Sequence, residues 1–403
     1  MKVILALNEL KRDGMGSAAL TLFQALKAQG LDVRPVHAWN EIDFPEYVAE
    51  AKPAFADCAG YGVDAAHVRA LAAKVNEVAG RDDVLIHFGS GNWLCAVPFF
   101  KPSLRIISAV HSINPSTLKL GRAYPDRVSA FVCISQGVRD RFLRKLPKRY
   151  HDKVFLVPNA VRLADAPKTD WTNDGTLRIL FLGRIENTSK GCGKIPPILR
   201  LLRDRGVRAH LDLYGYFHNW EREWWAAVDR AGVRDLVTYR GEIAHEAVYP
   251  TMARYDVFLA PSNFEGFPLS ISEAMGCALP VVASRIPGVT DWILDYGRCG
   301  VTVPKCDVRA FADALAALAS DPARRRSLGL AARERIAALA SFDAHGRGYA
   351  KVIASCPPRL PPDAPDEPAP VPDGFRQPEC LKPWAPARLL PTGLKTWLRR
   401  FMR

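Results

Sequence analysis

Short apolar runs alternate with helical periodicity along most of this chain. Residues 2–7 (Lys-Val-Ile-Leu-Ala-Leu) predict a strand, and residues 18–29 predict an amphipathic helix that stops at Gly30. Further strand-like runs fall at 84–88, 105–110, 130–134 and 154–157. Several are apolar throughout, the pattern of parallel strands covered on both faces. Strands taken in turn with helices predict a doubly wound α/β layer.

Residues 163–176 are polar and rich in turn formers and read as a linker. The alternation then restarts at 177–182, 209–214, 237–239, 257–260 and 280–283, which predicts a second α/β domain. Residues 307–319, 322–339 and 342–353 read as closing helices. After Cys356 the pattern stops. Residues 357–388 are proline-rich, and a packed core is not expected there. Residues 393–403 place Leu394, Trp397, Leu398 and Phe401 at helical spacing among Lys395, Arg399, Arg400 and Arg403.

Bulk properties narrow the class. Hydrophobic residues make up 48% of the 403 and charged residues 24%, a globular balance. The net charge of +13 suits phosphate-bearing ligands, anionic membranes or nucleic acid, without choosing among them. The nine cysteines are scattered, with no C-x-x-C pair, so neither a disulfide framework nor a zinc site is expected. The only early apolar stretch, residues 3–7, is too short for a signal peptide, and no run approaches bilayer length. The expected compartment is the cytoplasm.

Candidate chemistry sits where strands end. Arg184 follows Gly183 at the end of the 177–182 run, and Lys190 stands six residues later beside Gly191. Open parallel sheets bind ligands beyond the carboxyl ends of their strands, and a diphosphate needs cations held close. Two solvated surface cations are the competing explanation. Residues 261–276 add Glu265 after one strand and Glu273 in the expected first turn of a helix starting near Leu269. A helix N-terminus there would offer N–H groups to an anion. Ser270-x-x-Glu273 also matches a capping box, so Glu273 has a purely structural explanation as well. In the first domain, Gly14-Met15-Gly16 lies between the first strand and helix, and His87 and His111 end strands. Each has a plain structural reading: a tight turn for the glycines and satisfied buried residues for the histidines.

Taken together, Gly-Arg-x₅-Lys-Gly (183–191) and Glu-Gly-Phe-Pro-Leu-Ser-Ile-Ser-Glu-Ala (265–274) resemble a GT-B-fold retaining glycosyltransferase of family 4. Supporting matches are Ser135-Gln136-Gly137, residues 157–161 and residues 276–283, and the likeness covers about residues 1–355. The resemblance implies two Rossmann-like doubly wound domains facing across a cleft. It divides the chain into an acceptor-side domain (1–165), a nucleotide-sugar-binding domain (166–340), a closing helix (341–355) and a tail (356–403). It implies that Arg184 and Lys190 neutralise the donor diphosphate, Glu265 contacts the transferred sugar and His111 lines the sugar side. Gly16, Phe267, Leu269, Ser270 and Glu273 complete the implied donor site, with Glu273 on the ribose hydroxyls. No metal or other cofactor is implied, since the two cations take a metal's place. Four departures stand out: Gly-Met-Gly in the first loop, Ala160 after Asn159, Pro268 before the helix, and Tyr214-Gly215-Tyr216 in place of Gly-x-Gly.

The reaction so implied is transfer from a nucleoside diphosphate sugar to a glycan or lipid-linked hydroxyl, with anomeric configuration retained, in the setting of cell-surface polysaccharide synthesis. The basic amphipathic end at 390–403 has two readings. It is an interfacial helix on an anionic membrane, which would put the protein peripherally at the inner face of the plasma membrane, or a solvated or docked tail. Rival classes are a nucleotide-sugar epimerase or hydrolase on the same architecture, a nucleic-acid-binding protein, and a non-catalytic carbohydrate binder. No zinc finger, RRM signature or aromatic-interleaved basic stripe outside the tail supports the second, and the presence of both cations and both glutamates argues against the third.

Overall fold

The computed structural model describes residues 1–11, 14–58 and 60–378, the side chain of His245 excepted. The segment 390–403 lies outside the described residues. Two parallel sheets organise the chain. The first contains β1 (Lys2–Leu7), β2 (Asp32–His37), β3 (Ala54–Phe55), β4 (Val84–His87), β5 (Arg105–Val110), β6 (Ala130–Cys133) and β7 (Val154–Leu156), in the order β3-β2-β1-β4-β5-β6-β7. The second contains β8 (Leu177–Leu182), β9 (Ala209–Tyr214), β10 (Val237–Gly241), β11 (Val257–Ala260), β12 (Val281–Ser284) and β13 (Val301–Val303), in the order β10-β9-β8-β11-β12-β13. The chain is thus an α/β protein of two Rossmann-like domains.

Three strands escape the apolar-run reading. In β2, polar residues at 32 and 34 are exposed and Pro35 interrupts the run, while β3 and β13 are only two and three residues long. The first helix, Gly14–Ala28, starts four residues before its apolar periodicity does, because its opening glycines and serine carry no apolar signal. Later helix starts follow side-chain caps. Asp307 accepts from the Ala310 amide at 2.9 Å, Asp321 from Arg324 at 2.8 Å and Ser341 from Ala344 at 3.3 Å.

Packing ties the domains together. On one side of the first sheet, Val3 and Leu5 of β1 and Leu22 and Leu26 of the helix Gly14–Ala28 share a core with Tyr349, Val352 and Ile353 of the helix Phe342–Ser355, which returns from the second domain. Its close approach needs Gly346, where a Cβ would stand 2.8 Å from the Ala25 carbonyl oxygen. The other face belongs to a core that runs through Ile134, Val161 and Ala164 to Leu180 and Phe258 of the second sheet and Ile271 of the helix Leu269–Gly276.

Residues 357–378 correct the expectation of an unpacked tail. They cross the first domain as a strap. Arg359 reaches the Pro102 carbonyl at 3.3 Å, Arg81 holds the carbonyls of Pro361 and Ala364, and Asp366 accepts from the Ser103 amide at 2.7 Å and its hydroxyl at 2.5 Å. Val371 and Phe375 then join the core, Phe375 edge-on to Phe99 at 5.6 Å. A proline-rich segment cannot build a core of its own. Its extended backbone is already stiff, so little entropy is lost when it lies down on one that exists.

Candidate functional site

Each sheet reverses its strand order at one place: between β1 and β4 in the first, and between β8 and β11 in the second. Such switch points open a crevice at the carboxyl ends of the strands. The loops after β8 and β11 carry Arg184, Lys190 and Glu265, so the topology alone brings these residues to one crevice.

The loop after β8 is built closely. Gly183 donates to the Tyr214 carbonyl at 3.1 Å and Ile185 to Tyr216 at 2.9 Å. Ile185 is buried, whereas Arg184 is exposed and its guanidinium has no partner among the described residues. Gly215 explains the Tyr-Gly-Tyr departure: a Cβ there would stand 1.9 Å from the Gly183 carbonyl oxygen. Glu186, for which the sequence suggested no role, organises the turn. It is buried and accepts hydrogen bonds from the Ser189 amide and hydroxyl and from the Lys190 amide at 2.8 Å. Burial opposes its charge, but these donors outweigh it and hold the carboxyl below its ordinary value. Asn263 then closes the gap to the next loop, donating from its amide to the Ser189 carbonyl at 2.6 Å and from its side chain to Asn187 at 2.8 Å. Gly191 makes this approach feasible. Its φ is +64°, and a Cβ would stand 2.3 Å from the Pro261 carbonyl oxygen.

The result is an ion pair at the crevice. Lys190 Nζ lies 2.8 Å from Glu265 Oε1, which also accepts from Ser262 Oγ at 2.7 Å. Ser270 and Ile271 line the same crevice. Phe267 enters the core with its ring, so only its backbone faces the loop. A second missed residue, Lys194, anchors the β11 loop through the Pro261 carbonyl and Asn263 Oδ1.

The helix Leu269–Gly276 corrects the reading of its own start. Pro268 is the N-cap and no side chain caps the helix, so Ser270-x-x-Glu273 is not a capping box. Glu273 is the fifth helical residue, just beyond the first turn. Pro268 lacks an N–H but loses nothing by it: its carbonyl accepts from the Ser272 amide and hydroxyl, both at 3.1 Å, and the first-turn amides belong to residues 269–271. The Glu273 carboxylate has no partner among the described residues, and burial pushes it up to about 7. A lone carboxylate poised in this way is a mark of ligand sites.

The first domain closes the other side. Gly14, at the start of its helix, faces Leu269: a Cβ there would meet Leu269 Cδ1 at 3.9 Å. Gly16, in the first turn of that helix, allows the preceding loop to come close, since a Cβ would stand 1.9 Å from the Lys11 carbonyl oxygen. His111 lies across from the Glu265 loop, and its carbonyl oxygen would be 2.2 Å from a Cβ on Gly266. The imidazole stacks on Phe88 at 4.9 Å, and its Nε2 is buried without a hydrogen-bond partner. Burial and the neighbouring His345 push it down to about 3, so it is neutral at ordinary pH. His87 is wholly buried and accepts from the Gly89 amide at 3.1 Å on Nδ1, its Nε2 is likewise buried without a partner among the described residues, and burial pushes it down to about 4. Among the described residues no cluster of His, Cys, Asp and Glu could hold a metal ion, and no helix is long and apolar enough to cross a membrane.

Comparison with known proteins bears on family and fold. Residues 176–321 match the family described as Glycosyl transferases group 1. D-inositol 3-phosphate glycosyltransferase of Pseudarthrobacter chlorophenolicus is 32% identical over 196 residues, 46% of this chain and 46% of that protein. Amylovoran biosynthesis glycosyltransferase AmsK of Erwinia amylovora is 29% identical over 166 residues, 40% of each chain. This chain therefore spans less than half the length of these curated relatives. Among solved structures, Anabaena Alr3699/HepE in complex with UDP superposes with a TM-score of 0.70 at 16% identity, over 88% of this chain and all of that one. That likeness is one of fold, and the fold is GT-B.

Proposed function

We propose that this chain, whose residues 176–321 match Glycosyl transferases group 1, moves a sugar from a nucleoside diphosphate to a hydroxyl of a glycan or lipid-linked acceptor, in polysaccharide assembly. The observation that carries the reading is the convergence at one switch point of an unpaired Arg184, the Lys190–Glu265 pair and an unpartnered Glu273 beside an uncapped helix start. The curated relatives named for sugar transfer, and a neighbour holding UDP, support it.

In this reading the diphosphate lies between Arg184 and Lys190, with the Leu269–Gly276 helix start aimed at it. Charge grows on the leaving phosphate as the glycosidic bond breaks. Cations and amides already in place stabilise that charge without reorganisation, each worth a few kcal/mol. Lys190 then exchanges part of its Glu265 contact for phosphate, which frees the Glu265 carboxylate to face the sugar. Glu273 receives the ribose hydroxyls. His111, held neutral, offers Nε2 to the sugar rather than acting as an acid. The two cations take a metal's role, so no metal enters the scheme. Among the described residues no side chain stands as an obvious nucleophile, and in this reading the reaction proceeds with retention on one face of the sugar, the leaving phosphate taking the acceptor proton.

Proton NMR of the chain with a panel of nucleotide sugars and oligosaccharide acceptors tests this. A new glycosidic anomeric signal with the donor's configuration is expected, and Arg184→Ala should suppress it by about a hundredfold or more. Donor conversion without an acceptor adduct would instead mark an epimerase or hydrolase. The membrane reading of 390–403 is tested by flotation with vesicles containing anionic lipid, with and without that segment.

A further inference from the structure

Positive charge is spread unevenly over this chain. From Lys119 to Lys153, ten lysines and arginines stand against three aspartates, a net +7 in a chain of net +13. Much of it gathers at the amino ends of β5, β6 and β7, the edge opposite the one where the crevice opens. Tyr150 is the hub. It is buried, its hydroxyl donates to Asp126 Oδ1 at 2.5 Å, and Arg149 and Lys153 lie over its ring at 4.7 and 5.4 Å. Lys153 Nζ also donates to the Val128 carbonyl at 2.9 Å, and Arg127 donates to that of Leu104 at 2.9 Å. The strap adds Arg359, which reaches the Asp126 carbonyl at 3.4 Å. Lys145 and Lys148 are exposed on the turn that leads to Tyr150, and their ammonium groups have no partner among the described residues.

None of these six cations forms an ion pair among the described residues. On the second domain, by contrast, Arg200, Arg203 and Arg234 each meet an aspartate, at 2.8, 2.5 and 3.5 Å. Here carbonyl oxygens take the place of carboxylates, so the charge is held in position without being cancelled. Asp126, Asp152 and Asp366 lie nearby, but Asp126 is engaged by Tyr150 and Asp366 gives both oxygens to Ser103. Burial, and then the neighbouring Arg359, push Arg127 down to about 10 and act on Lys153 in the same direction. Cations that repel one another in this way gain from an anion laid across them.

We propose that this face docks on an anionic lipid surface, with lipid phosphates over Arg127, Lys153 and Arg359 and a surrounding positive field from Lys145, Lys148 and Arg149. Cations spread over an exposed face match a plane of phosphates, and each one near such a surface is worth about fivefold in binding. A nucleic acid suits the face less well, because the ring at its centre is buried and offers no base a surface to stack on. Docking here leaves the cleft open, and the contact is separate from any made by 390–403.

The test is cosedimentation of the full chain with phosphatidylcholine vesicles, with and without phosphatidylglycerol. The triple variant Lys145→Ala, Lys148→Ala, Arg149→Ala should lower partition into the anionic vesicles at least tenfold, about fivefold per cation less some screening by salt. The charge-keeping set Lys145→Arg, Lys148→Arg, Arg149→Lys should hold it within about twofold. Arg200→Ala, Arg203→Ala, Arg234→Ala removes the same charge from the second domain and should also change it by less than about twofold. Sugar transfer to a soluble acceptor, measured alongside, should be unaltered by the first variant, so docking and transfer chemistry stand or fall separately. Unchanged partition in the first variant, an equal loss in the second-domain variant, equal binding to phosphatidylcholine alone, or tighter association with a DNA duplex than with the anionic vesicles would overturn the proposal.

Discussion

Glu273→Gln separates what burial does to this residue from what a ligand would do. The folded protein holds the carboxyl at about 7, against an ordinary value of 4.5. Below the lower value both folded and unfolded chains keep the proton, and stability does not depend on it. As pH rises from about 4.5 to 7 the unfolded chain ionises first, so stability falls with pH across that window and the loss is constant above it. The gap of roughly 2.5 pH units is worth about 3 kcal/mol, and about 2.5 kcal/mol of it develops between pH 5 and 8. Glutamine has no proton to lose. Urea unfolding at pH 5 and pH 8 should therefore show Glu273→Gln gaining about 2.5 kcal/mol on the natural chain between the two pH values. The packing cost of the amide cancels in that difference. Parallel pH profiles for the two proteins would refute the assignment of a desolvated, unpartnered carboxylate. Ligand binding adds a second signature. Ribose hydroxyls donating to Glu273 would favour its ionised form, so calorimetry at pH 6.5 in buffers of different ionisation heat should report release of a fraction of a proton, absent in Glu273→Gln. A stability effect without proton release would leave the burial argument standing and remove the ribose role.

Other perturbations address the scaffold of the crevice. Arg184→Ala should cut kcat/KM by about a hundredfold while leaving urea stability within about 0.5 kcal/mol, because the side chain is exposed and unpaired. Gly191→Ala forces a Cβ against the Pro261 carbonyl at positive φ and should cost about 2 kcal/mol or more, measured by urea unfolding. Glu186→Ala leaves the Ser189 and Lys190 amides without their acceptor; a loss of about 1–3 kcal/mol is expected, together with a raised KM for the donor as Lys190 loses its placement. Asp366→Ala removes both bonds to Ser103 and should free the strap, seen as faster proteolysis after residue 357 with turnover unchanged.

The parts legible in the sequence are those where burial is uniform. β1, β5, β8 and β11 are buried at most positions and apolar over most of their length, interrupted by Lys2, Arg105, Ser108 and Arg178, and their bounds match the runs closely. β2 was illegible because two of its residues face solvent and a third is proline. The crevice shows the same division. Arg184, Lys190 and Glu265 announce themselves as charges beside glycine at strand ends. Glu186 does not, since a buried glutamate that ties a turn looks like any surface glutamate until its donors are seen. Its signal was the run Glu-Asn-Thr-Ser-Lys, polar residues able to bend back on one acceptor. The Ser270–Glu273 pair misled for the opposite reason: the spacing of a cap was present, but the helix begins after Pro268, which puts Ser270 inside it.

The width of the cleft rests on contacts of another kind. The Gly137 amide donates to the Gly288 carbonyl at 2.6 Å, joining the helix that follows β6 to the loop that follows β12. A Cβ on Gly137 would stand 2.7 Å from the Pro287 carbonyl oxygen, and one on Gly266 would stand 2.2 Å from that of His111. At both places backbone meets backbone, and the residue that permits it is the one without a side chain. Each partner lies more than a hundred residues away in the chain, so no local pattern records the pairing. A methyl group at Gly137 or Gly266 would hold the domains apart by an ångström or more, drawing Gly14 away from Leu269 and His111 away from Glu265. The charges on each side would be unaltered, but the space between them would no longer match the pyrophosphate of the proposed donor, and charge stabilisation depends steeply on that match.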